Sequence, residues 1–213
     1  MGNTYAEQVI RMYEQMRGTV PEELVARLHR NAEKLSPLGD KALQVGDRAP
    51  DFTLPGATGA DFTLSDALRS GPVVLTFYRG NWCPYCNLEL RVLQSRIDDF
   101  RALGARLVAI SPQSPDDSLS IAEKHELDFD VLSDGGNRIA ADYGLLFTVD
   151  EAIRADYLTV GADLSAGDWE LPVPATYVIG PDGTVVYAFT DGDYRQRAEP
   201  EDILTALRQH FSQ

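Results

Sequence analysis

Apolar residues in the first part of the chain recur at helical spacing and predict two helices, over residues 4–17 and 21–35. The apolar stripe of the second helix consists of Leu24, Val25, Leu28 and Leu35. Pro21 suits a first helical position, and the segment 36–40 breaks the pattern. We therefore predict that residues 1–44 form a helical arm that serves in packing or in a dimer contact.

From Gly46 onward, short apolar runs alternate with helical segments. Runs rich in β-branched and aromatic residues predict strands at 73–78, 106–110, 129–132, 175–179 and 184–189. Helical spacing predicts helices at 65–68, from Pro84 through Leu103, and at 115–125, 137–143 and 200–211. Turn residues predict hairpins that join 51–54 to 61–64 and 175–179 to 184–189. This order favours an α/β fold, a mixed sheet with helices on both faces.

Residues 145–173 fit this scheme poorly, because their acidic side chains lie among Gly and Ala without a clear period. A connection of this length in a compact domain is usually functional or mobile. We expect the segment to contain some helix and to border the functional site.

Composition narrows the range of partners. The chain has 213 residues, 33 of them acidic and 19 basic, which gives a formal charge of −14. Nucleic acid and anionic membrane surfaces are not expected partners, because their phosphates would be repelled, and solubility accounts for the acidity. No apolar run approaches the roughly 18 residues of a membrane span. No signal-peptide pattern follows Met1, so we expect a cytoplasmic protein.

The two cysteines of the chain, Cys83 and Cys86, form one Cys-Pro-Tyr-Cys unit between a predicted strand and a predicted helix. A helix N-terminus stabilises a thiolate, the reactive form of cysteine. Pro84 favours the first helical position, which places Cys83 at the cap and Cys86 one turn inside, close enough for a disulfide. Trp82 and Tyr85 would shield the sulfurs and offer a contact surface. The context indicates a redox-active pair.

Other interpretations of the pair are a zinc half-site and an inert structural pair. A closed zinc site needs about four ligands. The chain has no second cysteine pair, and its histidines, His29, His125 and His210, are scattered. We therefore expect no metal site, and nothing in the sequence calls for an organic cofactor.

Pro174 precedes a predicted strand. A cis proline beside a dithiol would hold a backbone edge open for an extended substrate. The alternative is a trans proline that starts the strand.

Several segments resemble the alkyl hydroperoxide reductase/thiol-specific antioxidant (peroxiredoxin-like) family over residues 45 to about 190. They are Val45-Gly46-Asp47-Arg48-Ala49-Pro50-Asp51-Phe52, Leu132-Ser133-Asp134 with Ala141-Asp142-Tyr143-Gly144, and Pro174-Ala175-Thr176-Tyr177-Val178-Ile179 with Asp182-Gly183. The resemblance implies a thioredoxin-like fold with a peroxiredoxin-type N-terminal hairpin. Residues 45–213 would then form a thioredoxin-like redox domain behind the arm.

The chain departs from the family pattern at the site. Counting from the Phe77-Tyr78 pair, the family's peroxidatic cysteine falls at Cys86, followed by Glu89 and Leu90, and Cys83 takes the place of a Thr or Ser. The family's peroxide-polarising arginine would fall at Pro174. The chain is thus similar to Cys-Pro-X-Cys variants of the thioredoxin superfamily. Hydrogen bonds to the peroxide would come from the backbone N–H groups within 84–86, where Pro84 itself has none, or from Arg79, Arg195 or Arg197, although surface salt bridges are the usual role of such arginines.

The resemblance implies a thiol-dependent antioxidant oxidoreductase, an enzyme that reduces hydroperoxides through Cys83 and Cys86. Its partners would be a hydroperoxide or disulfide substrate and an external dithiol reductant, thioredoxin-like or glutaredoxin-like, with a homodimer as one possible assembly. We predict that the following residues contact substrate: Arg79, Trp82, Pro84, Tyr85 and Pro174. The position at the cap favours Cys83 as first attacker, and the family count favours Cys86.

Two other functions fit the same sequence. One is a general thioredoxin-type dithiol–disulfide reductase that acts on proteins. The other is a non-catalytic redox-sensing or scaffold module, in which the Cys83–Cys86 state would switch residues 145–173 or the arm for partner binding.

Overall fold

The computed structural model describes residues 4–211. Its α-helices are α1 Tyr5–Met16, α2 Glu22–Leu35, α3 Leu64–Leu68, α4 Pro84–Gln94, α5 Ile97–Ala102, α6 Pro115–Lys124, α7 Arg138–Asp142, α8 Glu151–Thr159 and α9 Pro200–Phe211. Its strands are β1 Thr53–Pro55, β2 Asp61–Thr63, β3 Val73–Phe77, β4 Arg106–Ser111, β5 Asp130–Ser133, β6 Leu146–Thr148, β7 Glu170–Pro172, β8 Ala175–Ile179 and β9 Val185–Thr190. Short 3₁₀ segments cover Ser36–Lys41 and Ser165–Gly167.

The two helices predicted for the arm are present. Thr4 caps α1 through a reciprocal pair of hydrogen bonds with Glu7, which satisfies backbone N–H groups that the first turn leaves free. Pro21 precedes α2, and Glu22 and Glu23 occupy its first turn, where the helix dipole favours negative charge. Residues of the arm itself therefore stabilise the first turns of both helices.

The central sheet is mixed and has the strand order β5-β4-β3-β8-β9. Strand β3 pairs in parallel with β4 and antiparallel with β8, so that Leu75 lies between Val108 and Tyr177. All five residues of β3 are buried, because helices cover both faces of the sheet. This confirms the predicted α/β class, and it makes β3 the central strand of the sheet.

Each face of the sheet has its own apolar core. On one face, Phe77 packs with Tyr143 and Tyr177, at ring-centroid distances of 5.1 and 6.4 Å. On the other, Val74 packs with residues of α5 and α9, including Phe100 and Leu204. Helix α4, which follows β3, joins this second core through Leu93.

The segment from Pro84 to Leu103 forms two helices, and the prediction of one helix is wrong. Helix α4 ends at Gln94 and α5 begins at Ile97. The hydroxyl of Ser95 donates to the carbonyl of Val92 at 2.7 Å, and such a side-chain bond competes with helical backbone pairing. The helical spacing continues across the break because α5 still turns Ile97 and Phe100 into the same core.

Residues 145–173 contain the antiparallel strands β6 and β7, with α8 between them along the chain. The expectation that the segment contains helix is confirmed. Ile153 and Tyr157 of α8 are buried, and Tyr157 faces the β3–α4 junction. No helix within residues 4–211 has the length and apolar character needed to cross a membrane.

Candidate active site

The junction between β3 and α4 carries both cysteines. Cys83 is the N-cap residue of α4 and Pro84 is its first residue, as the sequence predicts. Gly80 adopts φ +147°, and a Cβ there would lie 2.6 Å from the indole nitrogen of Trp82. Glycine therefore lets the chain turn beneath Trp82 and deliver Cys83 to the start of the helix.

Both thiols are free and buried, with exposed fractions of 1% for Cys83 and 0% for Cys86. The two thiols therefore hardly differ in exposure. The Cys86 sulfur accepts a hydrogen bond from the backbone N–H of Arg79 at 3.4 Å and lies 3.5 Å from Nη2 of Arg197. Negative charge on the pair therefore has donors at hand.

Arg197 reaches the site from the segment after β9. Its Nε donates to Glu89 at 2.7 Å, and the hydroxyl of Thr76 donates to the same carboxylate at 3.2 Å. Its Nη1 donates to the backbone carbonyls of Tyr194 and Gln196. The Arg197 side chain is 2% exposed, so the expectation that Arg197 forms a surface salt bridge is wrong.

Arg79 is held among aromatic rings. Its guanidinium carbon lies 3.9 Å from the ring centroid of Tyr194 and 4.8 Å from that of Trp82, and Nη2 donates to the hydroxyl of Tyr157 at 2.6 Å. Arg79 is 2% exposed, so the expectation of a surface salt bridge is wrong for this residue too. Nε of Arg79 is buried and has no hydrogen-bond partner among the described residues.

Of the three candidate arginines, Arg195 is the one that forms the expected salt bridges. It forms ion pairs with Asp193 at 2.7 Å and with the exposed carboxylate of Glu33 at 3.2 Å. These pairs tie the segment after β9 to α2.

The groups around the two sulfurs shift the pKa values of their thiols in opposite directions. Burial raises the pKa of the Cys83 thiol, but the hydrogen bond from Cys86 and the charges of Arg79 and Arg197 outweigh it and lower the pKa to about 6. Burial and the bond to Cys83 raise the pKa of Cys86 well above its usual range. Burial also raises the pKa of Glu89 to about 7, against the lowering effect of Arg197. These surroundings therefore favour the thiolate on Cys83 over the thiolate on Cys86.

A hydrogen-bonded cluster joins the arm to the cysteine motif. The hydroxyl of Tyr85 lies 2.5 Å from that of Tyr13 and 3.1 Å from Nε2 of His29. Tyr85 is 6% exposed, so it is chiefly an internal contact for the arm. The sequence places Tyr85 beside the cysteines, but it carries no signal that pairs it with the arm.

A cavity of about 900 Å³ lies between the arm and the site. The site contributes to its wall Arg79, Trp82, Cys83, Pro84, Tyr85, Tyr157 and Tyr194. The structure thus brings together seven residues, five of which the sequence predicts. The sequence does not reveal Tyr157, because residues 145–173 show no periodic pattern, or Tyr194, because it follows β9 and is distant from the cysteines along the chain. The expectation that this segment borders the site is confirmed.

Pro174 behaves differently from the other predicted contacts. Its peptide bond is trans, so the cis alternative is wrong and the strand-start alternative holds. The residue is buried immediately before β8, and it is not one of the described residues that line the cavity. Within residues 4–211, no three His, Cys, Asp or Glu side chains are grouped as a metal site would require.

Comparisons with known proteins agree with this architecture. The sequence model of the AhpC/TSA family matches residues 45–188. Chloroplastic peroxiredoxin Q from Gentiana triflora is 30% identical over 140 residues, 66% of this chain and 56% of the relative. The same protein from Populus jackii is 31% identical over 140 residues, 66% of this chain and 57% of the relative. The chain therefore spans little more than half the length of these relatives.

Solved structures show the same fold. Peroxidoxin BcpB from Mycobacterium tuberculosis superposes with a TM-score of 0.65 at 26% identity, covering 80% of this chain and 99% of that protein. A cysteine-to-serine mutant of PrxQ from Xylella fastidiosa gives a TM-score of 0.63 at 19% identity, covering 79% of this chain and 97% of that protein. The chain belongs to the AhpC/TSA family, within the thioredoxin superfamily, in a form that carries Cys-Pro-Tyr-Cys at the start of α4.

Proposed function

We propose that this chain is a thiol-dependent peroxidase that reduces hydroperoxides through Cys83 and Cys86. One observation carries the proposal. The Cys83 sulfur borders a cavity, sits at a helix N-terminus, and has a pKa lowered to about 6 by its hydrogen bond and by two buried arginines, in spite of burial. A thiolate in such surroundings is a ready nucleophile toward the O–O bond.

Peroxide reduction needs both cysteines, and its atoms and electrons balance as follows. The Cys83 thiolate attacks one peroxide oxygen, the O–O bond breaks, and the leaving alkoxide takes up a proton to become an alcohol. Cys83 is then a sulfenic acid. The Cys86 thiol attacks that sulfur, and water leaves as the Cys83–Cys86 disulfide forms. An external dithiol, thioredoxin-like or glutaredoxin-like, returns two electrons and two protons.

The buried arginines supply donors for the charge that develops on the leaving oxygen. Nε of Arg79 is a buried donor without a partner among residues 4–211, and Arg79 lines the cavity beside Cys83. A donor that is already oriented in a site of low polarity stabilises a transition state more than it would in water. Arg197 is engaged with Glu89, and its role is to hold positive charge against the sulfurs.

Burial of the sulfurs favours a small oxidant over a protein disulfide. Oxidation by a protein disulfide would require a partner sulfur to reach Cys83 in line while both thiols are free, and in this dithiol state Cys83 is 1% exposed behind the arm. A hydroperoxide can enter the cavity instead. Because both cysteines come from one chain, turnover requires no second subunit. We also propose a cytoplasmic location, where reducing systems keep such a pair in the dithiol state between turnovers.

Stopped-flow oxidation of the wild type, Cys83→Ser and Cys86→Ser tests the assignment, with mass detection of sulfenic acid. We expect Cys83→Ser to lose the fast phase, and Cys86→Ser to keep it and to accumulate the sulfenic acid. The opposite pattern would move the nucleophile to Cys86. Insulin disulfide turnover faster than that of hydrogen peroxide and cumene hydroperoxide would replace the peroxidase by a disulfide reductase.

A further inference from the structure

The cavity wall that faces the cysteines comes from the arm, outside residues 45–188 that the family model matches. The apolar side chains that the arm contributes include Ile10, Val20, Leu24, Val25 and Leu28. On the opposite side, Trp82, Tyr157 and Val160 complete a largely apolar surface. Ile10 is 60% exposed and extends this apolar surface to the rim of the cavity, where a ligand could cover it.

The arm is fixed in position relative to Cys83. Arg27 of α2 forms two hydrogen bonds with Asp156 of α8, at 2.8 and 2.7 Å. The hydroxyl of Tyr194 donates to the backbone carbonyl of Leu28 at 3.0 Å, and Tyr194 in turn packs on Arg79. A preformed wall of this kind can select a ligand, because little ordering remains to be done on binding.

The cavity is much larger than a hydrogen peroxide molecule. Its volume of about 900 Å³ lies toward the upper end of the range for small-molecule sites, roughly 300–1,000 Å³. A water molecule occupies about 30 Å³ of liquid, so a two-oxygen peroxide would leave the space mostly filled with water against apolar side chains. A larger apolar group would displace that water favourably.

Charge at the cavity selects against anions. Two of its exposed charged residues, Glu14 and Glu22, are acidic, and one, Arg17, is basic. The whole chain carries a formal charge of −14. Arg79 packs against aromatic rings, and its charge acts on Cys83. A carboxylate on the ligand would therefore gain little and would be repelled on approach.

We propose that the arm cavity is a specificity site that binds the uncharged apolar group of an organic hydroperoxide and places its O–O bond against Cys83. The residues that determine this specificity are those of the arm, Ile10, Leu24, Val25 and Leu28. The placement of the O–O bond rests on the proposed peroxidase function. Binding of the apolar group does not.

The substitution Val25→Trp tests the proposal by filling the cavity from a half-buried position of α2, and Val45→Trp is the matched control. Val45 is 62% exposed and lies outside the cavity. We expect Val25→Trp to lower kcat/KM for cumene hydroperoxide at least about tenfold more than it lowers kcat/KM for hydrogen peroxide. Val45→Trp should change neither. Equal loss with both oxidants, or no loss with either, would overturn the proposal.

A second pair of variants guards against failure of Val25→Trp to fold. Ile10→Glu adds a charge at the exposed rim of the cavity, and Leu158→Glu adds one at a residue that is 51% exposed and outside it. Ile10→Glu should weaken cumene hydroperoxide turnover selectively, whereas Leu158→Glu should not. If Val25→Trp or Ile10→Glu slows insulin turnover or reduction by a protein dithiol while cumene hydroperoxide is unaffected, the surface receives a protein and the proposal fails.

Calorimetric titration with 2-phenyl-2-propanol, the alcohol formed from cumene hydroperoxide, measures binding without chemistry. We expect saturable binding to the wild type and to Val45→Trp, and loss of binding in Val25→Trp. If the chain consumes no hydroperoxide but binds this alcohol in the cavity, the peroxidase proposal falls and the binding site stands. If it consumes hydroperoxides but neither binds the alcohol nor distinguishes the oxidants, the specificity site falls alone.

Discussion

At the scale of single residues, the two sulfurs share their surroundings with two buried arginines and one buried glutamate. Arg197 is paired with Glu89, so its charge is partly compensated, whereas Arg79 has no carboxylate partner among the ion pairs of residues 4–211. One positive charge is therefore left over inside the protein. A buried cation of this kind requires a counter-charge, and the Cys83 thiolate provides it.

This reasoning predicts the pH dependence of the first oxidation step. The rate of Cys83 oxidation should rise with pH through an apparent pKa near 6 and then level off, because the thiolate fraction follows that pKa. Cys86→Ala removes the hydrogen bond to Cys83 and should move the midpoint to higher pH, whereas Cys86→Ser retains a donor and should move it less. Single-turnover rates between pH 4.5 and 9 measure both shifts. Identical midpoints in the wild type and Cys86→Ala would contradict the coupling.

A second prediction separates the electrostatic role of Arg197 from its structural role. Arg197→Met leaves Glu89 buried without its cation and should cost about 3–5 kcal/mol of unfolding free energy. The double variant Glu89→Leu/Arg197→Met removes the whole pair and should recover most of that loss. Thr76 keeps a hydrogen-bond partner there, the hydroxyl of Thr176 at 3.3 Å.

If Arg197 also stabilises the thiolate, the recovered double variant should still oxidise at least about tenfold more slowly at pH 7, with a raised apparent pKa for Cys83. Urea unfolding and single-turnover kinetics on the same samples give the two readouts. A double variant that regains both stability and rate would leave Arg197 with a packing role only.

At the scale of elements, the sequence predicts those parts of the fold whose signals are local. The cap at Cys83, the proline at the start of α4 and the apolar run of β3 are neighbours along the chain, so periodicity and capping rules reveal them. Arg197 and Cys86 lie 111 positions apart, and Tyr157 comes from a segment without a period. Contacts of this kind depend on how elements pack, which no local pattern encodes.

The interface between the arm and α4 has a titratable member, His29. Burial, followed by the charge of Arg195, lowers the pKa of His29. The unfolded chain therefore takes up this proton before the folded chain as pH falls, so stability from His29 is present above about 6.5 and is lost on acidification.

His29→Gln should therefore reduce the loss of stability between pH 7.5 and pH 5. Tyr85 would keep a polar neighbour, because Tyr13 lies within hydrogen-bond distance of it. Urea unfolding of the wild type and His29→Gln at both pH values measures the difference. The same loss in both proteins would show that the interface is insensitive to this protonation.

At the scale of the whole molecule, the arm is fastened to the sheet by close backbone approaches. A Cβ on Gly192, which follows β9, would overlap the carbonyl oxygen of Leu35 at the end of α2. A Cβ on Gly144, which follows α7, would overlap the carbonyl oxygen of Lys41 in the 3₁₀ segment after α2. The arm thus meets the domain backbone to backbone at two places, and neither can accept a side chain without movement.

Gly192→Ala should therefore displace the end of α2 and lower the unfolding free energy by about 1–3 kcal/mol. Gly167→Ala is the control, because its Cβ would meet no atom of the described residues within 4 Å. Since α2 carries Val25 and Leu28 in the cavity wall, the displacement should also reduce turnover of cumene hydroperoxide more than that of hydrogen peroxide. Urea unfolding and the ratio of the two turnover rates measure the effects. Equal behaviour of the two alanine variants would mean that the docking of the arm neither stabilises the fold nor shapes the site.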